Sequence, residues 1–182
     1  MTDKGRRPFA GFLFLSRMTG AVRLHSPTYE EVYQEGSATL QGIAVVVLAS
    51  LATGIGVHVG FGLLLMFTLS LVISWCLPLF TIFIVGTVFF APQRSEVSMA
   101  NFVRTLGFAQ APFVLTVFGI FFPNASFAQS VFLMIITGWV FSAMCVAVRQ
   151  TLGYSSWFKS ALVVGVGFVP WILLDVLIVV AN

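Results

Sequence analysis

From Phe61 to Ala91 the chain carries no Asp, Glu, Lys or Arg. As a helix rising about 1.5 Å per residue, this run is roughly 45 Å long, whereas the hydrocarbon core of a bilayer is roughly 30 Å thick. It is too long and too apolar for a small water-soluble core. In lipid it must tilt, bend or extend beyond the core. Composition points the same way: 59% of residues are hydrophobic and 8% charged, where a soluble domain carries roughly 25% charged residues. Too little polar surface remains to coat a soluble globule. The expected class is all-α, a polytopic membrane helix bundle with no soluble domain.

Polar breaks divide the 182 residues into five apolar runs, at about 38–57, 61–91, 100–122, 127–148 and 160–181. Residues 1–37 precede them as a cytoplasmic or interfacial segment. There Lys4, Arg6, Arg7, Arg17 and Arg23 alternate with Phe9, Phe12, Leu13, Leu15 and Met18. A signal peptide is the other reading of this tail, but Arg17 interrupts its apolar core and no small-residue cleavage site follows cleanly. Every Lys and Arg lies in the tail, around the 92–100 loop or in the 149–159 loop. The 57–60 and 122–127 loops hold none. The positive-inside rule then puts the N-terminus in the cytoplasm and the C-terminus outside. The formal charge of +3 is sorted by membrane side and is no sign of nucleic acid.

The stretch Arg104 to Pro112, RTLGFAQAP, is the least lipid-like part of the third run. Pro112 removes a backbone donor and blocks the carbonyl of Phe108. A freed carbonyl in hydrocarbon needs a partner inside the protein. Gln110 needs one too, and Gly107 on the same helix face permits close approach of a neighbour. This segment is expected to face other helices, with Gln110 hydrogen-bonded to one of them. Arg104, one turn inside the span, is expected to snorkel to the cytoplasmic side. Pro78 is expected to bend the second span, and Pro170 lies near the middle of the fifth. Ala52, Gly56 and Gly60 repeat every four residues, which either permits tight helix contact or is chance in an Ala/Gly-rich span.

These residues resemble the Yip domain family, five-span membrane proteins named for binding Ypt/Rab GTPases in eukaryotes. The chain looks most like the prokaryotic branch. The likeness runs through TYEEV at 28–32, SATLQGIAVVVLASLATGIG at 37–56, Ser74-Trp75, RTLGFAQAP at 104–112 and AVRQTL at 147–152. The family's Gly-Tyr-x-x-x-Pro signature stands here as Gly107-Phe108-Ala109-Gln110-Ala111-Pro112, with Phe for Tyr. The Asp-Leu-Tyr-Gly-Pro string of eukaryotic members is missing. The resemblance implies a five-span fold in the cell membrane of a bacterium or archaeon, and motif residues Arg104, Gly107, Phe108, Gln110 and Pro112.

No enzyme motif stands out: there is no GxSxG, HExxH or carboxylate pair. No catalytic residue, metal or cofactor is expected. Cys76 and Cys145 read as buried small hydrophobes, and the four tryptophans as packing and interface anchors. Asp175 is the acid within a span, either a functional group or a carboxylate near the outer interface beside His58. Two function classes follow. One is a membrane organiser or adaptor, in contact with lipid and with protein partners at its cytoplasmic face, and open to homo-oligomerisation. Its candidate surface is Tyr29, Glu30, Glu31, Tyr33, Tyr154 and Trp157. The other is a small transporter or permease with a cavity near the proline-containing third span.

Overall fold

A computed structural model describes residues 10–181, with side chains for 11–173. Asp175, Lys4, Arg6, Arg7 and Phe9 therefore lie outside the described side chains. Every regular element among the described residues is helical. These are α1 (Ala10–Val22), α2 (Ser26–Gln34), α3 (Ala38–Gly56), α4 (Phe61–Ile84), α5 (Met99–Ala109), α6 (Phe127–Leu152) and α7 (Trp157–Ala181). A π-helical turn, Val85–Phe89, prolongs α4, and a 3₁₀ helix, Ala111–Phe121, prolongs α5.

Four helical segments are long and apolar enough to cross a membrane: Ala38–Gly56, Phe61–Phe89, Met99–Phe121 and Phe127–Leu152. The described apolar part of α7, Trp157–Leu173, is shorter. Leu40, Phe61, Met66, Ile73, Phe121 and Phe127 are well exposed on these helices, an apolar surface that lipid covers without cost. This is a multi-pass membrane protein.

Local chemistry sets the boundaries. The hydroxyls of Ser98 and Ser126 cap α5 and α6 by accepting from the backbone N–H groups of Asn101 and Gln129, which satisfies donors with no intrahelical partner. α6 runs four residues past the expected 148. Its stop is Gly153, held left-handed at φ 73°, where glycine carries no Cβ penalty. The chain then reverses, and the Tyr154 N–H bonds the Arg149 carbonyl at 3.0 Å.

The third span is central, as its polar and small residues require. Phe102, Leu106, Phe108 and Ala109 are fully buried. The α-helix does not simply kink at Pro112. It gives way to eleven residues of 3₁₀ helix, although such runs rarely exceed a few residues.

Pairing with α3 explains the length of that run. Gly107 of α5 lies on Gly42, where an added Cβ would stand 2.8 Å from the Gly42 carbonyl. Further along, the hydroxyls of Thr53 and Thr116 meet at 3.0 Å. Between these contacts α3 advances eleven residues, about 16.5 Å of α-helix. Its neighbour advances only nine. Nine α-helical steps would cover about 13.5 Å and miss the second contact. Three α steps plus six 3₁₀ steps at about 2.0 Å restore about 16.5 Å.

One end of the bundle gathers the basic groups. The Gln93 N–H bonds the Leu152 carbonyl at 2.8 Å, and Arg94 of the 90–98 loop grips Glu30 of α2. α1 and α2 join the core at this end. Tyr29 and Val32 are fully buried. Arg17 is buried as well, its Nε 2.9 Å from Glu31 and its Nη1 donating to Gln41 of α3 at 2.8 Å. The opposite end carries the 57–60 and 122–126 loops. There Gln129 Nε2 donates to the Gly56 carbonyl at 3.0 Å and lies 3.4 Å from His58 Nδ1.

Candidate functional site

The residues of RTLGFAQAP serve different neighbours, because each helical residue turns about 100° from the last. Gly107 faces α3. The Phe108 ring packs against Phe14 of α1, centroids 6.3 Å apart. Pro112 is buried in the first turn of the 3₁₀ helix, where its missing N–H costs least. Arg104 faces the basic end and Gln110 the interior of the bundle. The motif therefore builds the frame between two separate sites.

The first site is a polar groove of about 440 Å³ at the basic end, between the C-terminus of α2 and the start of α5. Tyr33, Gln34, Glu96, Ser98, Asn101 and Arg104 line it. Arg104 does not snorkel into bulk solvent. It is 8% exposed, with Nε donating to the Ala100 carbonyl and Nη2 to Asn101 Oδ1, both at 3.1 Å. No carboxylate lies within ion-pair distance of it among the described residues. The buried Arg17 and the partly buried Arg94 are matched: Arg17 has Glu31 and Arg94 has Glu30. Arg94 also lies 4.4 Å from the centre of the Tyr33 ring, whose hydroxyl donates to the Glu96 carbonyl at 2.7 Å. The bond from Arg94 holds the Glu30 carboxyl below the usual carboxylate range.

Two residues of the expected binding surface belong to the core instead. Tyr29 is fully buried and its hydroxyl donates to the Ala21 carbonyl at 3.3 Å. Tyr154 is buried with its hydroxyl shared between the carbonyls of Gly86 and Phe90. A phenol that finds a backbone acceptor can be buried whole, and burial raises the pKa of both. Trp157 remains half-exposed under Arg149.

The second site is a cavity of about 510 Å³ bounded by α3, α4, the 3₁₀ helix, α6 and α7. Gln110 and Trp75 both line it. Gln110 does not bond a neighbouring helix as expected. Its side chain forms no hydrogen bond among the described residues, although the residue is 6% exposed. Trp75 Nε1 is buried with no partner. Sequence reasoning grouped Trp75 with the packing residues. Its neighbours in the chain, Ser74 and Pro78, also line the cavity, and a polar residue beside Trp at mid-span was the available signal. Trp171 shares the same wall, while Trp139 Nε1 donates to the Val22 carbonyl at 2.9 Å.

Cys76 is exposed on the apolar surface rather than buried, while Cys145 is buried; neither is in a disulfide. Among the described residues no three His, Cys, Asp or Glu side chains cluster. Comparison with protein-family models, with curated proteins and with solved structures gives no match for the chain.

Proposed function

We propose that the chain is a five-span, non-enzymatic membrane adaptor of the Yip type. The fifth span is α7, the N-terminus is cytoplasmic and the C-terminus outside. In this reading the protein sits in the cell membrane of a bacterium or archaeon. Its partners dock at the basic end through an acidic group received by the groove.

The observation that carries the reading is Arg104. Burying a guanidinium is costly unless it is paired, and here the charge faces a polar groove in which no carboxylate among the described residues, that of Glu96 included, lies within ion-pair distance of it. A carboxylate from a partner segment would complete a charge-assisted pair. Tyr33, at the lip of the groove, adds an aromatic contact. The test is a pull-down from native membranes. A partner should co-purify with the unaltered chain and be lost with Arg104→Gln, while the variant elutes as the same folded species in detergent. Equal capture by both would overturn the docking role.

The cavity beside Gln110 favours a second reading, a small permease. If the purified protein in liposomes moves a solute and loses that flux on Gln110→Ala, this reading replaces the adaptor.

A further inference from the structure

The cavity at mid-span holds polar groups that nothing in the described bundle satisfies. Trp75 lies midway along Phe61–Phe89, and Gln110 midway along Met99–Phe121. Both therefore sit near the middle of the apolar layer. There an unmade hydrogen bond is expensive, because no water competes for the group. Trp75 Nε1 is such a group. An indole N–H only donates, so whatever completes it must bring an acceptor.

The rest of the lining narrows the chemistry. No Asp, Glu, Lys, Arg or His borders the cavity among the described residues, so a charged occupant would find no counterion. Trp75, Phe113, Phe141, Phe168 and Trp171 supply aromatic walls, which suit a flat ring in stacked or edge contact. A volume of about 510 Å³ falls within the roughly 300–1,000 Å³ typical of small-molecule pockets. Ser74, Phe141, Trp171 and Ile172 on its rim are exposed on the apolar surface, so entry from the lipid is open at that rim.

We infer that this cavity binds a neutral, lipid-soluble molecule with a carbonyl oxygen on a flat apolar body, of the quinone class. The Gln110 amide donates to the carbonyl, and a small turn of the Trp75 indole brings Nε1, which its packed neighbours close off in this structure, onto the same oxygen or a second polar atom. Depth argues against a glycerolipid. Its ester carbonyls sit at the edge of a hydrocarbon layer roughly 30 Å thick, roughly 15 Å from the level of Trp75 and Gln110. Water bound at Gln110 would meet the polar groups but leave the aromatic walls and most of the volume unfilled.

The test uses the full-length protein in nanodiscs with decylubiquinone as the probe. Binding is read by calorimetry and by tryptophan quenching. Decylbenzene, which has the same tail and no oxygen, is the control for apolar filling, and phosphatidylcholine brominated at mid-chain is the control for acyl chains. The expected result is saturable binding of one decylubiquinone per chain, at least about tenfold tighter than decylbenzene. One hydrogen bond corresponds to roughly a three- to tenfold change in affinity, and Trp75→Phe and Gln110→Leu should each weaken binding by about that much. An added Cβ at Gly165 meets nothing within 4 Å, and Gly165 lines the cavity. Gly165→Leu should therefore narrow the cavity and weaken binding at least about tenfold without loss of thermal stability, and it decides the matter if either polar variant fails to fold. Absence of saturable binding, equal affinity for decylbenzene, or binding unchanged in Gly165→Leu would each overturn the proposal. So would quenching by the brominated lipid that decylubiquinone fails to relieve, which would assign the cavity to an acyl chain.

Discussion

Gly56 of α3 lies so close to Thr116 that an added Cβ would stand 1.8 Å from the Thr116 carbonyl oxygen. The colliding atoms belong to backbone, so no side chain can turn away. The same holds at Gly107, against the backbone of Gly42. Overpacking of a close-packed interior costs about 1–3 kcal/mol or more. Gly56→Ala and Gly107→Leu should each lower the melting temperature in detergent by roughly 2–12 °C. Phe121→Leu, at a side chain 80% exposed, should shift it little. Equal melting temperatures for all three would contradict the close pairing of α3 with the third span.

The 3₁₀ helix can be tested by register. Thr53 and Thr116 touch through their hydroxyls at 3.0 Å. In a background lacking Cys76 and Cys145, the pair Thr53→Cys with Thr116→Cys should oxidise readily to a disulfide. A continuous α-helix through Gln110 would instead bring Phe118 to the level of Thr53. Preferential cross-linking of Thr53→Cys with Phe118→Cys on non-reducing gels would rule out the 3₁₀ register.

The Arg94–Glu30 pair makes a pH prediction. Arg94 Nη1 donates to Glu30 Oε1 at 3.1 Å and Nη2 reaches Oε2. The folded pKa of Glu30 lies below its ordinary 4.5, the bond from Arg94 being the main cause. The unfolded chain thus takes up this proton first as pH falls. The stabilisation is complete above about pH 4.5 and is lost as pH drops through the lower folded value. The pair is partly exposed, so its size is modest, up to about 1 kcal/mol. Glu30→Gln should lower stability at pH 7 and flatten the decline below pH 4.5. An unchanged acid limb in the variant would show that other carboxylates govern it.

The proposed topology predicts which loops a membrane-impermeant thiol reagent reaches in intact cells. With Cys76 and Cys145 replaced, a cysteine at position 124 should react from outside, and cysteines at 95 or 155 should not. Reaction at 95 without permeabilisation would invert the orientation.

Much of this protein follows from composition and spacing. Continuous apolar runs can satisfy their backbone only as helices in lipid, so Ala38, Phe61 and Phe127 mark helix starts in the chain and in the fold alike. A glycine, a glutamine and a proline in one stretch demand burial, and residues 104–112 are buried throughout. Other features arose only when helices met. Whether Pro112 bends an α-helix or begins a 3₁₀ helix depends on the distance between two contacts on α3, which the third span cannot encode alone. Tyr29 and Tyr154 read as surface anchors in the chain, yet their hydroxyls found backbone carbonyls on packed neighbours and sank into the core. Arg104 read as a snorkelling cation, but α2 and the 90–98 loop close over it. The unpartnered indole of Trp75 could not be foreseen from α4. A donor is orphaned only by what the facing helices fail to offer, and that is a property of the assembled bundle.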